Sequence, residues 1–282
     1  MMHPPTQWRQ LPTTDAPAAW QLAGGTAMLT GLEPDGAAPP RAALRWYTMH
    51  APAVIMGTGQ PLSHFDLDAL HWHGVRLYRR SSGGTAVHTD PQLLMLDVAL
   101  PPSDPRYLFD VTASYQWFGA TWVAALATLG IAARLVTIEE ARRDTRALDP
   151  HTRMACYGGR SPYEVLADER KLVGLAQVRR KAGALLQAGV YLDWRAADLT
   201  RLFALSAAEQ AQLTAHLHTR VVGLAELAPP ATRATLLSRV QVAFADALHH
   251  LYGVTLVADG WTAAEHAALA HAAHTRYAAL PL

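Results

Sequence analysis

With 282 residues and 50% hydrophobic composition, the chain carries enough apolar material for one large domain or two small ones, and it reads as globular. Its 24 Lys+Arg against 23 Asp+Glu leave a formal net charge of +1, which excludes the long-range basic field of a nucleic-acid binder or a polybasic membrane anchor. One cysteine, Cys156, excludes an internal disulfide, and the first ten residues hold no apolar segment of signal-peptide type, so a cytoplasmic protein is expected.

Proline-rich or charged breaks fall at 33–41, 101–106, 142–162 and 228–233. Short apolar runs predict strands at Leu44–Met49, Ala53–Met56, Val75–Arg79, Leu93–Leu100, Arg134–Ile138, Tyr163–Ala167, Lys171–Val178 and Ala184–Leu192, the last of them paired as hairpins. The uncharged stretch Val111–Ala133 is long enough to span a bilayer, yet Ser114, Gln116 and several threonines interrupt it. Tyr115, Phe118, Trp122, Leu126 and Leu129 recur there at helical spacing, which predicts an amphipathic core helix ending near Gly130. Beyond Asp193 the pattern turns helical. Capping boxes Ser206-Ala-Ala-Glu209 and Thr262-Ala-Ala-Glu265 open two helices, and Leu236, Val240, Phe244, Ala247, Leu248 and Leu251 mark a third, stopped at Gly253. No 20- to 50-residue repeat occurs, and an α+β sheet layer followed by a helical C-terminal portion is the simplest architecture. We expect an N-terminal extension at 1–18, a catalytic core at 19–195 and a helical portion packed on it at 196–282.

Two segments carry chemistry. Cys156 precedes a strand whose lysine is Lys171; the thiolate is the reactive form of a cysteine, and a neighbouring ammonium would stabilise it. Against that stands the plainer possibility of a lone cysteine as a small buried hydrophobe. Arg79 and Arg80 run from a strand end into Ser81-Ser-Gly-Gly84, where glycines let backbone N–H groups approach a ligand and a guanidinium can neutralise a phosphate or hold an acyl-linked pantetheine group. By spacing alone the better reading is an ordinary turn with exposed arginines, since no phosphate-loop motif accompanies it.

Taken in order, Arg79-Arg-Ser-Ser-Gly-Gly-Thr-Ala-Val-His88, Lys171-Leu-Val-Gly-Leu-Ala-Gln-Val-Arg179 and Leu185-Leu-Gln-Ala-Gly189 resemble the lipoate/octanoate and biotin ligase-transferase superfamily. Leu44–Tyr47, Met56–Gln60, Asp66–Leu70 and the terminal segment from Ala263 to Tyr277 are similar to further elements of that family. The resemblance implies a mixed, mostly antiparallel sheet packed with helices. It also implies a loop of Arg79, Arg80, Ser82, Gly83 and Gly84 that shapes an acyl pocket, and Lys171 directed at the acyl carbonyl. Gly174, Ala176, Gln177 and His88 follow as further binding residues, Gly174 because a side chain there would fill the acyl slot.

Cys156 lies where the cysteine-dependent octanoyltransferases carry their nucleophile, in a segment similar to Ala155-Cys-Tyr157 and Tyr163-Glu-Val165. The implied reaction takes octanoyl from the phosphopantetheine of acyl carrier protein onto Cys156 as a thioester. It then passes to a lysine of an acceptor such as the glycine-cleavage H protein or the lipoyl domains of 2-oxoacid dehydrogenases, without nucleotide or other cofactor. Departures stand at Gly25 and Thr26, where relatives carry Asp-Glu, at Leu175, where a small residue is usual, and at Ala188, where histidine is common; these imply a weaker first helix, an altered slot, and a changed substrate or reduced activity.

Three other readings compete. An ATP-dependent lipoate ligase, using ATP and Mg, would leave Cys156 incidental. An amidotransferase would move octanoyl between lipoyl proteins with the same thiol. A binding module would hold acyl groups or carrier proteins without catalysis. Fourteen histidines, His71, His73, His249 and His250 among them, lack the partners of a metal motif and read as surface residues.

Overall fold

In a computed structural model the described residues are 6–33, 39–228 and 230–281. Residues 1–5 of the expected N-terminal extension, 34–38 of the break at 33–41, and residue 229 in the break at 228–233 lie outside them.

The chain opens with β1 (Thr6–Gln10) and β2 (Thr14–Ala16), followed by α1 (Ala18–Thr30). Strands β3 (Ala43–Met49) and β4 (Ala53–Met56) lead to α2 (Leu67–Trp72), whose first turn is capped by Asp66 accepting from the Ala69 N–H. Next come β5 (Arg76–Arg79), β6 (Val87–Thr89) and β7 (Leu93–Leu100). Helix α3 (Val111–Thr128) fills most of the uncharged stretch and is capped by Asp110. After β8 (Ala133–Leu135), helices α4 (Ile138–Ala147) and α5 (Pro150–Arg153) precede the cysteine. Strands β9 (Val165–Ala167), β10 (Arg170–Arg180) and β11 (Gly183–Tyr191) form successive hairpins. Asp168 and Glu169, both at positive φ, make the two-residue turn between β9 and β10. The remainder comprises α6 (Ala196–Thr200), α7 (Ala207–Arg220), α8 (Leu224–Leu227), α9 (Arg233–Tyr252), β12 (Val254–Ala258) and α10 (Ala263–His274). Both predicted capping boxes are formed, and Gly253 ends α9 in the left-handed region.

The main sheet runs β12-β1-β3-β7-β11-β10-β9-β8, with β2 paired to β3; β5-β4-β6 forms a second, small sheet. Every pair from β3 to β8 is antiparallel, while β1 is parallel to both β3 and β12. The α+β class with a mostly antiparallel sheet is therefore the one the chain adopts.

Strand alternation divides labour between the two faces. Leu44 and Trp46, Leu94, Leu96 and Val98, and Leu186 and Val190 point to α3 and α9, where Trp46 meets Trp122 and Phe244 edge to face at 5.7 and 5.6 Å. The residues between them, Tyr47, Met95, Asp97, Gln187 and Gly189, point the other way, toward α1 and the small sheet. That second face holds the site.

Several elements differ from expectation. The stretch Arg134–Ile138 yields a shorter strand because Thr137 caps α4 in a capping box with Glu140, so Ile138 begins a helix that runs on into the break expected at 142–162. β1, β2, β6 and β12 are short and carry no alternation long enough to read locally; β12 is supported by its partner β1. The first helix runs unbroken through its glycines. A Cβ at Gly24 would overlap the Arg45 guanidinium, and one at Gly25 would lie 2.7 Å from Leu185 Cδ2, so the glycines let α1 pack directly onto the sheet. Among the described residues no helix is long and apolar enough to cross a membrane, and no group of three or more His, Cys, Asp or Glu could hold a metal ion.

Candidate active site

Cys156 sits in the loop between α5 and β9 and is fixed through its backbone. Its N–H donates to the Ala86 carbonyl (2.8 Å), and the Ala86 N–H donates to Met154 O (3.0 Å). The Gly83-Gly84 loop and the cysteine loop are thereby joined as two strands of a bridge. Gln60 holds the same loop through Nε2 to Met154 O (3.1 Å). Gly84 has φ +88°, and a Cβ there would lie 2.6 Å from Arg80 Nη2, so glycine permits both the turn and the close passage of the guanidinium.

The cation at the sulfur is Arg80. Its Nε and Nη2 donate to Gly83 O (3.0 and 2.8 Å), which fixes the guanidinium plane, and Nη2 reaches Cys156 Sγ at 3.7 Å. Lys171, expected in that role, is engaged elsewhere. It is buried at the base of the site, paired with Glu164 Oε2 (2.8 Å), and donates to the main-chain carbonyl of Cys156 (3.1 Å), with Nζ 5.4 Å from the Tyr157 ring centre. Glu164 also accepts the Ser161 N–H (2.6 Å) and the Leu175 N–H (3.3 Å). Buried charges persist when paired and hydrogen-bonded, and here the pair ties the cysteine loop to β10.

Arg79 is turned away. Its Nη1 donates to the carbonyls of Gly57, Thr58 and Gln60 (3.2, 3.0 and 3.0 Å), bracing the neighbouring loop, so its assignment as a binding residue is corrected to a structural one. His88 is likewise removed from the site: on β6, Val87 and Thr89 line the cavity while His88 is buried on the opposite side, where desolvation lowers its pKa.

Two cavities meet at Cys156. One is an apolar slot between the sheets, walled by Leu22, Tyr47, Met49, Ile55, Leu93 and Met95 among others. Gly174 and Gly189, directly opposed on β10 and β11, form part of its floor, and Tyr157 lies over them with its hydroxyl donating to Gly189 O (2.5 Å). Added Cβ atoms would come within 3.1 Å of the Tyr157 ring at Gly174 and 2.8 Å of its hydroxyl oxygen at Gly189. The other is an open polar cleft bordered by Gly83, Gly84, Tyr115, Glu164 and Gln177. Ser82, Ala176 and Leu175 border both. Ser82 is buried, and its Oγ has no hydrogen-bond partner among the described residues. Gln177 is held by Arg179 (2.7 Å), with its amide nitrogen buried and without a partner among the described residues. Burial, together with Glu164, raises the Tyr115 pKa to about 12, so its phenol remains a donor on the cleft wall at neutral pH. Ala188 and Leu175, the departures flagged in the sequence, both stand in the slot wall.

Glu164, Tyr157, Gly189 and Gln187 fall inside the segments that carry the resemblance, but sequence reasoning assigns none of them a role. Counting outward from the Lys181-Ala182 turn pairs Gly174 with Gly189, a signal present in the chain; the Lys171–Glu164 contact crosses a bulged pair of strands and has none.

A sulfur at the mouth of an apolar slot, beside a guanidinium and a polar cleft, suits the capture of an acyl chain at its carbonyl. The family model for the lipoyl protein ligase A/B catalytic domain matches residues 28–245. An octanoyltransferase LipM of Moorella thermoacetica is 31% identical over 265 residues, covering 93% of this chain and 92% of the relative; the LipM of Kyrpidia tusciae is 30% identical, covering 92% of each. Among solved structures, a bipartite archaeal lipoate protein ligase from Thermoplasma acidophilum superposes with a TM-score of 0.76 at 19% identity, covering 96% of this chain and 93% of that one. A lipoate-protein ligase A bound with ATP gives 0.73 at 20%, covering 95% of each; at such identities these two speak for the fold. By the extent of that match and the residues assembled at Cys156, this chain belongs to the lipoyl protein ligase A/B catalytic domain family.

Proposed function

We propose that this protein is an octanoyltransferase that works through a Cys156 thioester and needs no nucleotide. The observation that carries the reading is the position of Cys156 Sγ, at the junction of slot and cleft and 3.7 Å from Arg80 Nη2. The relatives named as octanoyltransferases, which align over nine-tenths of the chain, support it.

In the first half-reaction the octanoyl tail enters the slot and the thiolate attacks the thioester carbonyl. The Sγ–C bond forms, the donor C–S bond breaks, and the donor leaves as a thiol after taking up a proton. Arg80 steadies negative charge on sulfur, and the unpartnered Ser82 hydroxyl is available to the carbonyl oxygen. Lys171 acts through position, holding the Cys156 carbonyl so that Sγ faces the mouth. In the second half-reaction a lysine amine approaches through the cleft, the C–N bond forms, the Sγ–C bond breaks, and the proton shed by the amine restores the thiol. Thioester exchange is nearly balanced and amide formation runs downhill, so no ATP is required. The donor proposed is octanoyl-acyl carrier protein, and the acceptor a lipoyl-type protein such as H protein or a lipoyl domain, all in the cytoplasm.

Intact-mass analysis after incubation with octanoyl-acyl carrier protein and no nucleotide tests this. One hydroxylamine-labile octanoyl adduct is expected, absent in Cys156→Ala, with turnover reduced at least about 10³-fold. Activity that requires ATP and survives Cys156→Ala would refute it.

A further inference from the structure

Arg80 borders a third opening that neither half-reaction above uses. It lies between α1 and the turn end of the β10–β11 hairpin, and Arg276 and Tyr277 close its outer side. Tyr277 is anchored there, its hydroxyl bonded to Ser81 (2.5 Å) and Thr26 (3.1 Å). This groove shares Leu22, Arg80 and Gln187 with the apolar slot, so it is continuous with the mouth at which the thioester must sit.

Gln187 stands at that junction in a fixed orientation. Its Nε2 donates to Asp97 Oδ1 (2.8 Å). Asp97 is fully buried and ion-paired to Arg45 at 2.7 Å, so its carboxylate accepts and does not donate. The amide nitrogen is committed to Asp97, and the end of the Gln187 amide left for a ligand is its carbonyl, an acceptor for N–H. Along the same sheet face, the row Gln187/Ala176 is followed by Leu185/Val178 and then by Arg180. Four residues of strand span about 13 Å. At that far end Arg180, Lys181 and Arg276 are exposed, against one carboxylate among the described residues, Glu33.

We propose that this groove holds the phosphopantetheine arm of the acyl donor, an inference that rests on the octanoyltransferase reading. The order of groups matches the arm read outward from its sulfur: an N–H acceptor near the thioester carbonyl, an extended run, then cations for the phosphate. The arm then lies on one side of Arg80 and the incoming amine approaches on the other, so donor and acceptor reach one sulfur by separate routes.

The test compares octanoyl-4′-phosphopantetheine with octanoyl-pantetheine, following single-turnover acylation of Cys156 by intact mass at fixed ionic strength. The protein should favour the phosphorylated donor in kcat/KM by about tenfold, the scale expected for two exposed charge contacts. In Lys181→Ala/Arg276→Ala that ratio should fall toward one, and in Lys181→Glu/Arg276→Glu the phosphorylated donor should become the poorer of the two. All four substitutions are at exposed side chains, and an unchanged melting curve verifies the fold. A ratio of one in the unmodified protein, or a ratio the variants leave unaltered, overturns the inference while leaving the thioester reading standing. Slowed transfer to the acceptor protein with an intact donor ratio would assign the groove to the acceptor and likewise overturn it. Failure of both donors to acylate Cys156 would instead sink the octanoyltransferase reading itself.

Discussion

The two cations nearest Cys156 occupy regions built on opposite principles. Lys171 lies on β10 among fixed partners, inaccessible to solvent, with its charge answered by Glu164. Arg80 lies on a loop, part-exposed, with no carboxylate partner among the described residues, and it borders all three openings. A positive side chain close to a reactive group is not thereby its electrostatic partner. The cation with its charge already balanced shapes the site, and the one anchored only to a carbonyl is available to sulfur and substrate.

Substitutions should separate the two regions sharply. Lys171→Met strands Glu164 in the interior and should cost about 3–5 kcal/mol of stability, measured by denaturant unfolding; Lys171→Met/Glu164→Gln should recover most of it. Equal losses in the single and double variants would break the comparison. Arg80→Ala should change stability by less than about 1 kcal/mol yet slow Cys156 acylation by about 10²-fold. Arg80→Lys should not restore the rate, because an ammonium cannot span Gly83 O and Sγ with one planar fork. A destabilised Arg80→Ala with a normal acylation rate would reverse the assignment.

A smaller effect is expected in the slot. Gly189→Ala places a methyl 2.8 Å from the Tyr157 hydroxyl oxygen and 3.0 Å from Met95 Sδ, and should lower kcat/KM for octanoyl about tenfold while sparing butanoyl donors. Gly174→Ala, whose closest approach is 3.1 Å to the Tyr157 ring, should do less. An unchanged chain-length profile in Gly189→Ala would place the acyl tail elsewhere.

The smallest effect is on pH. Desolvation lowers the folded-state pKa of His88 below 6.5, so the unfolded chain binds the proton more readily. The stability this contributes is complete above pH 6.5 and declines as pH falls below it. His88→Asn should therefore show a shallower loss of melting temperature between pH 7 and 5 than the parent protein.

Much of this site was legible in the chain, and what escaped has a common cause. The strands of the second face, the Gly-Gly loop, the cysteine and the slot glycine Gly174 follow from local pattern and resemblance, because turns, caps and period-two runs are properties of neighbouring residues. Which cation meets the sulfur is not local. It depends on Tyr163 at φ +65° preceding Glu164, whose carboxylate reaches Lys171, and on a bulge between Lys171 and Val173 that no residue type announces. Arg79 and Arg80 show the intermediate case. Successive residues at a strand end face opposite ways, so only one could enter the site, but which one required the position of the Gly57–Gln60 carbonyls. β1 and β12 were invisible for the same reason, since each short strand has the other as its partner.

The most direct test of the account is a crystal structure of the octanoyl-loaded protein. The prediction is continuous density from Cys156 Sγ into the slot, the chain running beside the Tyr157 ring toward Met49, Ile55 and Leu93, with Arg80 beside the thioester. An octanoyl group lying in the polar cleft, or attached at any other residue, would contradict it.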